Sequence, residues 1–187
     1  MPAPWGSVPR AWAWDGRVIH LIRPSLVQLV SMVLSDSPVF IVIGLARDED
    51  DRTALLKAIV DPHDPFGDDD LDRIADKLVK GFFGIERWTA ERLWLEAVQN
   101  WSTIDGDLLS RGVDVVVLDP ARATSVIHRA VGKFHSENQA MFDRWQSSLV
   151  REPPRTAKVA AKDPKLQQTA RDDWFALQAM AGGMNGA

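Results

Sequence analysis

The chain has 187 residues, 45% of them hydrophobic and 26% charged, with a net charge of −4 and no cysteine. Such a balance excludes collagenous and wholly disordered chains, and the absence of thiols excludes a disulfide framework, a cysteine nucleophile or a thiolate zinc site. At this size one domain buries roughly 70% of the surface that its unfolded chain exposes, so a core needs no covalent or metal staple.

Residues 1–10 contain three prolines and a glycine and predict an extended arm. Ala11–Trp14, Asp15-Gly16 and Arg17–Ile22 then read as a β-hairpin, because Asp-Gly supplies the positive φ angles of a tight turn. Pro24 opens a helix carrying Leu26, Leu29, Val30 and Val33, which Ser35–Pro38 end. Val39–Leu45 is continuous and β-branched, which predicts a buried strand.

From Asp50 onward the pattern is helical. Asp50 and Asp51 precede Leu55, Leu56, Ile59 and Val60, and Asp68–Asp70 precede a stripe of Leu71, Ile74, Ala75, Leu78, Val79 and Phe82 closed by Gly81 and Gly84. A third helix over about 86–101 stacks Ala90, Trp94, Ala97, Val98 and Trp101, with Arg87 to Glu91 and Arg92 to Glu96 as outer i,i+4 pairs. Asp105-Gly106 is expected to interrupt a shorter helix through Leu108 and Leu109, and Gly112 to cap it in the left-handed conformation. Val115–Leu118 reads as a connector. Pro120 opens a helix with Ala123, Val126, Ile127, Ala130, Val131 and Phe134 inward, and the Ser136/Gln139 pair predicts the cap of a last helix carrying Met141, Trp145 and Leu149.

The fold class is therefore mainly α: one helical domain over 11–150 with a small N-terminal β element and a flexible C-terminal tail. Residues 151–165 are polar and basic and read as a linker, while Leu166, Ala170, Trp174 and Leu177 recur at the spacing of an amphipathic helix within 166–187, which ends in a frayed terminus.

Little here points to catalysis. Residues 36–80 hold twelve acidic and six basic groups, yet the runs at Asp48–Asp51 and Asp61–Asp70 fit helix starts and a proline-locked loop better than a cation site. His128 and His135, seven apart, are weighed as a metal pair and set aside, because Gly132 and the Ser136 cap intervene. No nucleophile elbow or phosphate loop is present, so no catalytic residue, cofactor or metal is expected. The acidic balance disfavours nucleic acid, although Arg151, Arg155, Lys158, Lys162 and Lys165 would offer nonspecific phosphate contacts. The apolar runs fall short of the ~20 residues that span a bilayer, and the N-terminus lacks a basic-then-apolar leader, so the expectation is a cytosolic protein with no membrane partner. Its unusual features are those of interaction: Trp5, Trp12 and Trp14 in and beside the arm, and Leu166, Trp174 and Leu177 in the tail, as candidate partner-binding residues.

Arg23-Pro24-Ser25-Leu26, Asp61-Pro62-His63-Asp64-Pro65-Phe66, Trp88 with Arg92-Leu93, Asn100-Trp101, Asp105-Gly106, Leu108-Leu109 and Arg111-Gly112-Val113-Asp114 resemble segments of small proteins encoded in tail-gene clusters of actinobacterial phages. Over residues 14–150 the chain is similar to the tail assembly chaperones of long-tailed phages. That resemblance implies a non-catalytic protein of the host cytoplasm that binds tape-measure and tail-tube proteins during virion assembly and is often made in a longer form by ribosomal frameshifting; a second copy of the chain is kept open as a further partner. The chain departs from the pattern at Val115-Val116-Val117 and after Pro154. The alternatives are a virion structural protein, such as a head-to-tail connector or minor tail protein, and a small metal-dependent enzyme using the loop between Asp61 and Asp70.

Overall fold

A computed structural model describes residues 8–61, 63 and 66–153, without the Asp68 side chain. Contacts divide the chain into units 1–152 and 153–187, and every described element belongs to the first. The linker beyond Pro153 and the amphipathic helix predicted within 166–187 lie outside the described residues, as do residues 1–7 of the arm.

The hairpin forms as its turn residues dictate. Strand β1 (Ala11–Trp14) pairs antiparallel with β2 (Arg17–His20), Trp14 opposite Arg17 and Trp12 opposite Ile19, around Asp15 and Gly16 at φ 45° and 71°. Because strand side chains alternate, Trp12 and Trp14 share the face that packs on the core while Ala11 and Ala13 face away. Ahead of it, Pro9 lies on Gly81, where an added Cβ would stand 2.9 Å from the proline Cγ, so glycine is what lets the arm approach the helix beneath.

Eight α-helices follow among the described residues. Helix α1 (Leu26–Leu34) begins with a reciprocal cap in which Ser25 Oγ accepts from the Gln28 N–H and Gln28 Oε1 from the Ser25 N–H. The segment expected as a strand is instead helix α2 (Pro38–Leu45), with Pro38 in its first turn and Ser37 Oγ accepting from the Phe40 N–H. A central strand would need two partners for its backbone, and the edge of β2 is already occupied by the chain just after α2. Ile22 N donates to Leu45 O, Arg47 N donates to His20 O, and Leu21 bridges Ala46. A helix satisfies its own backbone and buries Ile41, Val42, Ile43 and Leu45 against neighbours, which overrides the β propensity of the side chains.

Helices α3 (Glu49–Val60) and α4 (Asp68–Phe83) start on acidic residues as expected, and Asp70 accepts from the Gly67 N–H and pairs with Arg73. Helix α5 (Arg87–Gln99) is the hub of the fold, packed on α1, on α4 and, further along the chain, on α7 (Pro120–His135) and α8 (Gln139–Val150). Trp94 is its largest buried side chain, 1% exposed, set edge-on to Phe83 and donating its indole N–H to Thr124 Oγ1. The helical stack expected to continue to Trp101 stops at Asn100, whose φ/ψ of −113°/21° breaks the helix. Val98, still within α5, is exposed, and Trp101 beyond the break is half-buried.

Helix α6 (Trp101–Ser110) runs through Gly106 uninterrupted, held by buried Ile104 and Leu108, and Gly112 after it is left-handed at φ 74°. The connector is a 3-10 turn at Val115–Val117. Two details of the last helices differ from expectation. Asn138, not Ser136, caps α8 by accepting from the Ala140 N–H, while Ser136 closes α7 through its bond to Lys133 O. Met141 and Phe134 are exposed, whereas Trp145 and Leu149 are buried.

Candidate interaction surface

The seam between α5 and α8 is where side chains of the described domain are most concentrated in specific roles. The last carbonyls of a helix have no partner within it, and here α5 supplies donors for them. Trp88 Nε1 donates to Val150 O at 3.2 Å and Thr89 Oγ1 to Leu149 O at 3.0 Å. Arg92 Nη1 reaches Ser148 O and Arg151 O, both at 2.6 Å, and Leu149 O at 3.4 Å. A cation at a helix C-terminus also meets the negative end of the helix dipole. One turn further along, Glu96 accepts from Trp145 Nε1 at 2.9 Å and meets His135 Nε2 at 2.5 Å, and the His135 ring stacks on Trp145 with centroids 5.0 Å apart.

Sequence spacing pairs Arg87 with Glu91 and Arg92 with Glu96 along one helix; in the structure all but one of these groups bond to another element. Arg87 bridges Asp72 at 2.5 Å and Asp76 at 2.7 Å, both on α4. Burial acts to lower the Arg87 pKa, but the bonds to Asp76 and Asp72 outweigh it and hold the charge more firmly than usual. Glu91 has the opposite fate: burial pushes its carboxyl up, Asp36 near the end of α1 adds to that, and Arg87 and Arg92 only partly compensate. The seam was invisible to period analysis because its partners are about sixty residues apart in the chain.

Beside the seam opens a cleft of about 550 Å³ lined by Arg92, Asp143, Arg144, Ser147, Ser148 and Arg151. Asp143 accepts from Gln139 Nε2, whereas the guanidinium groups of Arg144 and Arg151 make no ion pair or hydrogen bond among the described residues. Leu95, 47% exposed, continues the line of Trp88 and Arg92 along α5, with Val98 at 46% beside it and Val150 at 67% at the end of α8.

Of the residues singled out in the sequence, Trp12 and Trp14 are brought together on the hairpin. Both are half-buried against the core, Trp14 lies 5.4 Å from the Phe66 ring, and Trp12 Nε1 is buried without a hydrogen-bond partner. Trp5, Leu166, Trp174 and Leu177 lie outside the described residues. In the acidic loop, Asp61 Oδ1 accepts from the His63 N–H in a local turn. No group of three or more His, Asp or Glu side chains among the described residues is arranged to hold a metal ion. His128 and His135 do share one continuous helix, where both rings lie against Trp145. The Glu96 to His135 pair is of the kind that moves protons in hydrolases, but the neighbouring hydroxyl of Ser136 gives its hydrogen to Lys133 O at 2.8 Å. No helix among the described residues is long and apolar enough to cross a membrane.

Comparison with known proteins finds no family model, no curated protein and no solved structure that matches this chain.

Proposed function

We propose that the chain is a non-catalytic tail assembly chaperone of long-tailed phages, which holds tape-measure and tail-tube proteins in the host cytoplasm during morphogenesis. The observation that supports this reading best is the surface of α5 and α8, where the guanidinium groups of Arg144 and Arg151 line a cleft without an ion pair among the described residues and where Leu95, Val98 and Val150 are exposed on the same two helices. Exposed apolar and charged side chains on two neighbouring helices suit a protein partner more than a small substrate. The resemblance over residues 14–150 supplies the tail-assembly setting. Coexpression of the chain with the tape-measure protein of its own gene cluster is the test. The expected result is tape measure retained in the soluble fraction and no trace of the chain in purified particles. Presence of the chain in finished particles would instead make it a virion structural component, and insoluble tape measure would refute the chaperone reading.

A further inference from the structure

The β1–β2 hairpin has one edge covered and one open. On the β2 side Ile22 N donates to Leu45 O and Arg47 N to His20 O, so the chain just after α2 stands where a third strand would. On the β1 side no strand is placed among the described residues. Leu21 N donates to Arg10 O, and bonded pairs alternate along an antiparallel ladder, so Trp12 and Trp14 turn their main-chain groups to β2 while Ala11 and Ala13 turn theirs outward. Both alanines are exposed, and neither makes a hydrogen bond on that edge among the described residues. Natural sheet edges are blunted with lysine, proline or a bulge, and the four residues of β1, in unbroken register with β2, carry none of these. We infer that the outer edge of β1 pairs antiparallel with β1 of a second copy of this chain, extending the hairpin to a four-stranded sheet across a two-fold axis.

The register and the occupant follow from what bounds the edge. Pro9 has no N–H and lies on Gly81, and Asp15 turns the chain away at φ 45°, so the usable groups are those of Ala11 and Ala13. An antiparallel pair centred on Trp12 sets Ala11 opposite Ala13 of the second copy, twice by symmetry, and each such pair exchanges two N–H to O=C bonds. A strand identical to β1 thus satisfies both outward donors and both outward acceptors of each copy. Trp12 then meets Trp12 of the second copy in the closer, non-hydrogen-bonded position, where aromatic pairs contribute to sheet stability, and the face away from the core carries only the alanine methyl groups along the new seam. Charge sets the direction. Exposed Arg10 precedes β1 and exposed Asp15 follows it, so antiparallel pairing brings Arg10 opposite Trp14 of the second copy and next to its Asp15, whereas a parallel pair would align like charges. This pairing stands on the hairpin alone and is independent of the tail-assembly reading.

Sedimentation of the full chain from micromolar to millimolar concentration is the first test, and a monomer–dimer equilibrium is expected. Ala13→Pro removes an outward N–H and spares every bond between β1 and β2, so it should weaken the dimer by about tenfold or more. Circular dichroism melting checks that the variant is folded. If it is not, Ala11→Lys with Ala13→Lys replaces it, since the pairing would set the added charges opposite one another, and the same loss is expected. Val18→Lys with His20→Lys places the same charges on the same face one strand away from the edge and should change the dimer by no more than about twofold. Because the chain has no cysteine, Val18→Cys at an exposed site takes one spin label per chain, and the register places the two labelled Cα atoms about 16 Å apart. The inference is overturned by a chain that stays monomeric throughout, by a dimer indifferent to the folded edge variant, by equal loss in the Val18 and His20 variant, or by a label separation far from that distance. Exchange protection of the Ala11 and Ala13 amides that appears only with coexpressed tape measure would give the edge to a client strand and equally overturn the second copy.

Discussion

Arg92 joins α5 to the end of α8, and replacing it with Met isolates what its charge contributes, since the apolar stem and its packing are largely kept. Three carbonyls are at stake. Leu149 O keeps the Thr89 hydroxyl at 3.0 Å, so its loss is small, while Ser148 O and Arg151 O lose the Arg92 donor that served them at 2.6 Å. A buried acceptor stripped of a charged donor would cost as much as about 3 kcal/mol, but Ser148 and Arg151 are exposed and water replaces the guanidinium. The expected loss is therefore about 1–2 kcal/mol, which is a shift of roughly 0.5–1 M in a urea midpoint for a domain of this size. Hydrogen exchange adds a local readout, because α8 should open more readily than α4 or α5. An unchanged midpoint together with unchanged exchange in α8 would refute the argument that Arg92 caps that helix.

Trp94→Ala should cost about 3–5 kcal/mol by removing a 1%-exposed side chain from the hub of the core, a loss that denaturant unfolding would register as a large midpoint shift; a parent-like midpoint would mean α5 does not face the core. Glu91→Gln carries a pH signature. With its carboxyl pushed up in the folded state, Glu91 holds its proton there more tightly than in the unfolded chain, so stability falls as pH rises from the ordinary carboxyl value of 4.5 through the raised folded value. The Gln variant should be more stable than the parent at neutral pH and converge with it in acid, and a neutral-pH loss on substitution would contradict the burial argument.

Local signals in the chain were enough for the hairpin turn at Asp15-Gly16, the proline start at Pro120, the left-handed Gly112 and the inward stripe of α4, because each depends on a residue's own φ preference or on neighbours three or four positions away. Pro24, expected in the first turn of α1, stands before its cap, because the Ser25 and Gln28 pair fixes the start one residue later. The mainly α architecture follows from those elements. Tertiary structure decided the rest. Val39–Leu45 has the composition of a strand and becomes α2 because the one sheet among the described residues, the β1–β2 hairpin, meets Leu45–Arg47 at the edge of β2, and the core accepts an all-apolar helix. The Ser136 and Gln139 pattern is local and still misplaces the cap, since Asn138 stands at the residue before α8 and accepts from the Ala140 N–H in its first turn. The candidate surface was half legible: the i,i+4 charges of α5 show in the sequence, but their partners do not. Arg87 chooses Asp72 and Asp76, Arg92 chooses the α8 carbonyls, and Glu96 chooses Trp145 and His135, because bonds to groups partly withdrawn from water are stronger than screened pairs along one helix. Periodicity tells which face of a helix is turned outward, and only the packing of distant helices determines what stands opposite it.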